Sequence, residues 1–280
     1  MKFKVDAELR YEVKQRGTLL LCIHAYESPR QILSEESFLV TEGVRCDFFP
    51  LASGQHRYVR IDTQAVVDLA INYSVFVETD PDSLRVIEIG EVPISDLSPE
   101  ALPFLFPSRY CQSDEIGSLA QELFGHVAGP LGKAKAISDW IFENVSYTVG
   151  ASDPTTTALD ILETRQGVCR DFAHLGIAFC RALSIPARYF SGYAAHMQPP
   201  DFHACFEVFV GDRWFLFDPT RLSHPRGMAR IATGLDASDT AVATIFGDIQ
   251  LTRSAVSCVT ADGADLPPED LEGQAIQLKG

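Results

Sequence analysis

The chain of 280 residues carries 38 acidic and 23 basic side chains, which gives a formal net charge of −15 at pH 7. This acidic excess argues against a nucleic-acid-binding surface and against an anionic membrane as a partner, because both attract clustered positive charge. The length exceeds what one small core needs and predicts two domains, or one domain with an extension.

The cysteines and the apolar runs of the sequence indicate the cellular compartment in which the protein is expected. The seven cysteines are spaced irregularly and form no Cys-x-x-Cys pair, so neither a disulfide framework nor a zinc knuckle is indicated. The first residues contain no apolar signal-peptide core, and no run reaches the roughly 18 apolar residues that span a bilayer. We therefore expect a cytoplasmic protein with reduced thiols and no membrane partner.

Residues 1–105 have the pattern of an all-β domain. From Phe3 to Val13, apolar residues alternate strictly with polar ones, which indicates a half-buried strand. Shorter strand-like runs follow, with Gly, Pro and Ser between them: 18–26, 37–41, 46–51, 56–62 and 71–79. This spacing predicts a β-sandwich domain, in which the isolated His24 and His56 have structural roles.

Helix periodicity begins after a proline-rich stretch at 96–110, which marks the predicted domain boundary. Four helices are predicted from apolar spacing, caps and prolines: 116–127 with Ser113 as N-cap, a second carrying Ile137, Ile141 and Val145, a third over 156–164, and a fourth from about Gly167 to before Pro186. Strand patterns return near 187. These elements form the predicted core domain at 106–262, and a polar tail at 263–280 is expected to be loosely held.

Cys169 is predicted to lie in the first turn of the fourth helix. A helix N-terminus favours the thiolate, the reactive form of a thiol, through its exposed N–H groups and its dipole. Nucleophilic catalysis also needs a base, which no neighbour in the sequence supplies. On spacing alone, a structural core thiol remains the alternative interpretation of Cys169.

A hairpin over 202–218 is predicted to bring a histidine and a carboxylate together. Gly211-Asp212, between two apolar runs, indicates a two-residue type II′ turn, whose register places Asp218 opposite Cys205. His203 and Asp218 then lie diagonally on one face, about 7–8 Å apart at the backbone, so that the carboxylate can fix the ring's tautomer. A three-residue loop would place Asp218 on the other face. Whether this pair meets the candidate nucleophile does not follow from the spacing.

Two segments, "GVCRDFAHLGIAFCRALSIPARYFSGY" (167–193) and "DFHACFEVFVGDRWFLFDPT" (201–220), resemble the core of the transglutaminase-like superfamily. More narrowly, they resemble its bacterial branch of transglutaminase-like enzymes and cysteine proteases. The family pattern is a G-x-C helix start, a strand ending in G-Y, a D-x-H-A strand and a final F-D-P-T. The flanks at 107–111 and 230–251 and the β-rich N-terminus are also similar to this branch, so the likeness covers nearly the whole chain.

The resemblance implies an α+β fold with a papain-like (transglutaminase-like) core behind the N-terminal β-sandwich domain. It also implies a catalytic triad, in which Cys169 is the nucleophile, His203 the general base and then acid, and Asp218 the group that orients the ring. No cofactor and no metal site is predicted. His196 and His224 lie near the triad strands, but their spacing with the cysteines repeats no ligand pattern.

The chemistry that this triad implies is acyl transfer to and from a thioester on a peptide or amide substrate. The backbone N–H of Cys169 is one expected oxyanion donor, and Tyr147 and Gln166 are candidates for a side-chain donor. Water as the acceptor makes a cysteine protease or amidase, which is the leading prediction. An amine acceptor makes a protein-glutamine γ-glutamyltransferase, and a non-catalytic scaffold that kept the fold is a further alternative.

Two positions depart from the family's usual pattern. Cys205 stands two residues after His203, where relatives usually carry an aromatic residue, and Leu235 replaces a usual arginine. The first departure leaves a redox-sensitive regulator, with a disulfide between Cys169 and Cys205, as another alternative. Helix geometry assigns Cys180 and His174, further along the fourth helix, to structural positions.

Overall fold

The computed structural model describes residues 1–50, 56–64, 66–85, 92–263, 266 and 274–278. The helices within these ranges are α1 (Gly117–Phe124), α2 (Pro130–Asn144), α3 (Ala158–Thr164), α4 (Cys169–Ala182) and α5 (Ala237–Thr240). The strands are β1 (Lys2–Val13), β2 (Thr18–Leu21), β3 (Gln31–Val40), β4 (Arg45–Pro50), β5 (Arg57–Asp62), β6 (Asp68–Thr79), β7 (Asp82–Arg85), β8 (Ser146–Tyr147), β9 (Gln166–Gly167), β10 (Ala187–Ala194), β11 (Phe202–Val210), β12 (Arg213–Phe217), β13 (Met228–Gly234), β14 (Ala243–Phe246), β15 (Ile249–Thr260) and β16 (Gln274–Gln277).

Two four-stranded sheets share one apolar core in the N-terminal half of the chain. Their strand orders are β15-β1-β6-β3 and β14-β2-β5-β4. The alternation predicted along β1 is confirmed, because its apolar residues from Phe3 to Val13 are each at most 6% exposed. Of the predicted runs, 46–51 and 56–62 are strands over Arg45–Pro50 and Arg57–Asp62, and residue 51 lies outside the described residues.

Strands from late in the chain complete both of these sheets. β15 pairs with β1 along nearly its full length, and β14 pairs with β2. Residues 243–260, which follow the helical part of the chain, therefore pack with the N-terminal strands. The domain limits near 105 and 262 stay a prediction.

A six-stranded sheet with the order β13-β10-β11-β12-β16-β7 carries the helices, and together they give the expected α+β fold. Helix α4 lies across this sheet and is buried from Asp171 to Arg181. The close approach depends on Gly176, since a Cβ there would come within 2.5 Å of the Phe206 ring on β11. This packing fixes the start of α4 relative to β11.

The structure differs from the sequence predictions at the start of α1 and in the tail. Ser113 does not cap α1, whose N-cap is Ile116, because residues 112–115 form a separate turn in which the Glu115 N–H donates to the Gln112 carbonyl. The tail prediction is wrong for residues 274–277, whereas residues 264–265, 267–273 and 279–280 lie outside the described residues. Residues Gln274–Gln277 form strand β16 between β12 and β7, and Ile276 is buried there. None of the helices in the described ranges combines the length and apolar character that a transmembrane span requires.

Candidate active site

Cys169 is the first residue of α4, and the chain in front of it is fixed tightly. The buried Asp171 carboxylate accepts a hydrogen bond from the Val168 N–H at 2.9 Å and pairs with Arg170 at 2.9 Å. Gly167 is required beside it, because a Cβ there would lie 2.8 Å from the Asp171 Cβ. The G-x-C motif therefore sets the position of a half-buried thiol at a helix N-terminus.

The predicted hairpin is confirmed. β11 and β12 pair with Val210 opposite Arg213, and the turn residue Gly211 has a φ of 70°, as a II′ turn requires. The resulting register brings His203 Nε2 to 2.8 Å from Asp218 Oδ2, with both side chains buried. The two-residue turn thus decides that the carboxylate lies on the histidine's face of the sheet.

Asp218 is held by donors on both oxygens. Oδ1 accepts hydrogen bonds from the Thr220 N–H at 3.0 Å and its hydroxyl at 2.7 Å, and Oδ2 accepts from the Ser223 N–H at 3.1 Å and its hydroxyl at 2.7 Å. Burial raises the pKa of Asp218, but His203 and these hydroxyls outweigh it, and the net pKa lies below the ordinary value. Sequence reasoning missed Thr220 and Ser223, although Thr220 ends the F-D-P-T motif.

The pKa of His203 lies well above its ordinary value. Burial lowers this pKa, whereas the Asp218 charge, Cys205, the hydrogen bond with Asp218 and the nearby Cys169 thiol raise it and prevail. The opposite shifts of the two partners have one cause, the attraction between an ionised Asp218 carboxylate and the protonated ring. Asp218 therefore orients the His203 ring and favours the form that has accepted a proton.

Cys169 and His203 line one cleft, and the thiol is among the groups that raise the pKa of the ring. Since Nε2 bonds Asp218, the ring atom left for the thiol is Nδ1. This atom is buried and makes no hydrogen bond of standard geometry within the described residues. The structure thus brings all three predicted site residues, Cys169, His203 and Asp218, into one cluster.

Tyr147 lies at Cys169. The two-residue strands β8 and β9 pair in parallel, with Tyr147 beside Gly167, and the tyrosine ring packs on Phe172 at a centroid distance of 5.8 Å. Its hydroxyl lies close enough to Cys169 to interact with the backbone N–H and the thiol, and burial and this cysteine raise the pKa of Tyr147 to about 12. The other candidate donor, Gln166, is exposed on the neighbouring strand.

Cys205 is fully buried beside the histidine–aspartate pair. Burial raises the pKa of its thiol to about 12. The ligand atoms of His203, Cys205 and Asp218 all lie within 4.8 Å of one another, and this is the group in the described ranges whose spacing would admit a metal ion. The direct hydrogen bond between His203 and Asp218 already uses one ring nitrogen and one carboxylate oxygen.

Other candidates from the sequence lie elsewhere or pack in the core. Cys180 is fully buried, and His174 stacks on Tyr110 at 4.9 Å and accepts a hydrogen bond from the Ala237 N–H, as expected of structural residues. Leu235, at the position of the usual arginine, accepts a hydrogen bond from Arg181 through its carbonyl oxygen at 2.7 Å. His24 is buried among the rings of Phe38, Phe48 and Tyr73. His196 contacts the Thr260 hydroxyl at 3.3 Å, and His224 caps a short turn by accepting from the Arg226 N–H.

The cleft in front of the thiol has a volume of about 540 Å³. One wall comes from the helical part and its sheet, and includes Cys169, Tyr110, Tyr189 and His203. The opposite wall comes from β1, β14, β15 and the residues just before β14. A substrate that fills this cleft would therefore lie between residues from both parts of the chain.

Comparison with known proteins matches both halves of the chain. Residues 1–100 match the family described as bacterial transglutaminase, N-terminal domain, and residues 117–219 match the transglutaminase-like superfamily. The crystal structure of a "Putative Cysteine Protease" from Cytophaga hutchinsonii superposes with a TM-score of 0.96 and 42% identity, over 100% of this chain and 98% of that one.

Mycobacterial relatives are similar over shorter stretches. The Mycobacterium leprae protein ML0607 is 26% identical over 166 residues, which are 55% of this chain and 58% of that protein. The Mycobacterium tuberculosis protein Rv2569c is 42% identical over 60 residues, which are 21% of this chain and 19% of that protein. This chain therefore spans less than two thirds of the length of either protein.

The Cytophaga hutchinsonii protein, which is 42% identical, shares the fold from end to end, and both family patterns match in order. The chain therefore belongs to the transglutaminase-like superfamily.

Proposed function

We propose that the protein is a cysteine-dependent acyl-transfer enzyme that hydrolyses peptide or amide bonds through a thioester intermediate. The observation that carries this proposal is the 2.8 Å contact of His203 with Asp218 on a ring that the Cys169 thiol also approaches. A structural core thiol requires neither an oriented imidazole nor an open cleft, and this thiol has both. Cys169, His203 and Asp218 are the proposed nucleophile, acid–base group and orienting group.

In the proposed first step the ring accepts the thiol proton, and Asp218 stabilises the imidazolium that forms. The sulfur then attacks the substrate carbonyl carbon, so that a C–S bond forms and the carbonyl oxygen becomes an oxyanion. His203 gives its proton to the leaving amine as the C–N bond breaks. The product of this step is a thioester on Cys169 and a free amine.

Tyr147 and the Cys169 backbone N–H are the proposed oxyanion donors. The Tyr147 hydroxyl lies near this N–H, so both donors border the volume next to the sulfur. With its pKa raised to about 12, Tyr147 keeps its proton at neutral pH and can donate it. Aligned donors of this kind stabilise the transition state more than the bound substrate, because the charge on the oxygen develops only during attack.

The second step hydrolyses the thioester and regenerates the free enzyme. His203 removes a proton from water, the hydroxyl attacks the thioester, and the C–S bond breaks to release a carboxylic acid. The description of the Cytophaga hutchinsonii relative as a protease supports water as the acceptor over an amine. The proposed partner is therefore a peptide or protein substrate, and the cytoplasm is the proposed location.

The test is incubation of the full chain with a mixed peptide library, with and without a primary amine, followed by mass spectrometry. Hydrolysis gives cleaved or deamidated products, and transfer gives amine adducts. Cys169→Ala should abolish the products, whereas Cys46→Ala, at a half-buried thiol in the β-sheets, should leave them unchanged. Products that persist in Cys169→Ala would remove the proposed nucleophile, and amine adducts as the main product would reassign the acceptor.

A further inference from the structure

The cleft beside Cys169 has a second wall that belongs to the other half of the molecule. We propose that this apolar wall, formed by Leu9, Tyr11, Val242, Ala243, Ile245 and Leu251, is a subsite that binds a bulky apolar side chain of the acyl donor. The proposal rests on the proposed function, since it names the substrate class for the same thiol. It gives the N-terminal strands a direct part in substrate selection.

Because the cleft is continuous, the molecule that reacts with the thiol is also the one that would bind the apolar wall. The wall and the Cys169–His203 pair enclose the same volume of about 540 Å³, so a ligand bound to one lies against the other. A substrate whose carbonyl carbon reaches the sulfur must place its adjacent side chains in this volume. The acyl donor is therefore the molecule that meets the apolar wall.

A β-bulge sets which residue of β15 faces the cleft. Arg10 of β1 lies opposite Arg253, but the next residue, Tyr11, lies opposite Leu251, so Thr252 is extra on β15. Without the bulge Thr252 would lie opposite Tyr11, and Leu251 would turn to the outer face, because side chains alternate along a strand. The irregularity thus exchanges a hydroxyl for an isobutyl group in the wall.

The wall has apolar surface that the chain itself leaves open. Leu251 is 52% exposed and Ile245 is 37% exposed. Ile249, the next residue on the same face of β15 as Leu251, is only 5% exposed, and Tyr11 opposite Leu251 is 2% exposed. A ligand side chain that covers Leu251 and Ile245 would extend the buried face of this sheet up to the thiol.

Charge in the cleft is confined to the side of the nucleophile. Besides His203, the charged lining residues are Arg170 and Asp201. Arg170 is already paired with Asp171 and donates to the Asp153 carbonyl at 2.6 Å. The wall itself offers no charged partner among the described lining residues, and burying a charged ligand group without a partner is unfavourable. The chemistry of the wall therefore selects an apolar side chain.

The experiment uses three peptidyl chloromethyl ketones, acetyl-Ala-Ala-X with X as Leu, Ser or Asp, as probes. Each alkylates a cysteine by forming a C–S bond as chloride leaves, so that the rate reports how well X is held beside the sulfur. Iodoacetamide, which carries no side chain, serves as the probe that the wall does not affect. For the wild-type chain we expect the Leu probe to inactivate Cys169 about tenfold faster than the Ser probe, or more.

Two double variants test whether the apolar wall causes the faster reaction of the Leu probe. Ile245→Ser with Leu251→Ser should slow the Leu probe about tenfold and leave iodoacetamide unchanged. Phe246→Ser with Val259→Ser changes exposed apolar residues of the same two strands that do not line the cleft, and should change neither rate. Three outcomes would overturn the subsite while Cys169 stays reactive. The two double variants could lose the same rate with the Leu probe, the preference for Leu could survive in the Ile245→Ser, Leu251→Ser variant, or the Ser or Asp probe could react faster than the Leu probe with the wild-type chain. Iodoacetamide labelling that does not favour Cys169 over the other cysteines would overturn the proposed function itself.

Discussion

Two buried ionic clusters share one face of strand β11 and differ in whether they contain a group that can exchange a proton. Glu207 accepts hydrogen bonds from Arg188 at 2.6 Å and from Arg230 at 2.8 Å, and all three side chains are buried. Four residues earlier on the strand, His203 bonds Asp218 at 2.8 Å. The first cluster joins three strands of the sheet, β10, β11 and β13, whereas the second opens onto the cleft.

The difference shows that a buried ion pair alone does not mark an active site. The Glu207 cluster pairs a carboxylate with two guanidinium groups, which cannot exchange a proton near neutral pH. His203 can exchange one, and its Nδ1 atom is left for the thiol. We therefore expect substitutions in the first cluster to change mainly stability, and substitutions in the second to change mainly activity.

The largest expected effect is at the nucleophile. Cys169→Ala removes the atom that forms the thioester and should lower kcat by about 10⁴-fold or more, as loss of a catalytic nucleophile does elsewhere. Because the side chain is half-buried and small, the free energy of unfolding should change by less than about 1 kcal/mol. Peptide turnover and denaturant titration measure the two. A large loss of stability with retained turnover would reverse the assignment.

The structural cluster should respond in the opposite way. Glu207→Gln keeps the shape of the side chain but removes the buried negative charge that faces Arg188 and Arg230, and should destabilise the fold by about 3–5 kcal/mol. The rate of Cys169 alkylation by iodoacetamide, measured well below the denaturation midpoint, should stay within about twofold of wild type. If instead alkylation falls strongly while stability is unchanged, Glu207 belongs to the site.

The donor next to the sulfur gives a smaller expected loss. Tyr147→Phe should lower kcat about 10²-fold with little change in KM, because the hydroxyl acts on charge that develops after binding. Tyr110→Phe is the matched control, since this cleft residue donates its hydroxyl to the Pro154 carbonyl at 2.8 Å and not to Cys169. Equal losses in the two variants, or a change confined to KM, would exclude Tyr147 as an oxyanion donor.

The parts of the site that the sequence predicted depend on local geometry. The turn at Gly211 fixes the register of β11 and β12, and so places Asp218 by His203 without reference to the rest of the fold. The alternation along β1 likewise indicated which of its residues are buried. Both patterns follow from the two-residue period of a strand.

The remaining parts depend on contacts between distant segments. Cys169 meets His203 because α4 crosses β11 over Gly176, a packing that no spacing specifies and that only the family resemblance implied. Tyr147 reaches the sulfur through a two-residue pairing of β8 with β9, which is too short to have a recognisable period. The return of β14 and β15 to the N-terminal sheets, which builds the apolar wall, also carries no local signal.

The smallest expected effect is the pH dependence of stability, and it distinguishes the His203 cluster, which titrates, from the Glu207 cluster, which stays charged in the neutral range. The pKa of His203 is raised, so its contribution is complete below its ordinary value of 6.5 and is lost as the pH rises through the folded value. The pKa of Asp218 is lowered, so its contribution is present above 3.8 and is lost as the pH falls through the folded value. The difference in unfolding free energy between wild type and His203→Gln should therefore be largest between about pH 4 and 6.5 and should shrink on both sides.

The Glu207 cluster provides the contrast for this measurement. Burial lowers the pKa of Arg188 only to about 10, so its charge persists through the neutral range. The difference in unfolding free energy between wild type and Glu207→Gln should then stay constant from about pH 6 to 9, while the His203→Gln difference declines over the same range. Parallel curves for the two variants would mean that His203 is held as a fixed charge like the arginines, and would leave the site without its proton-transfer group.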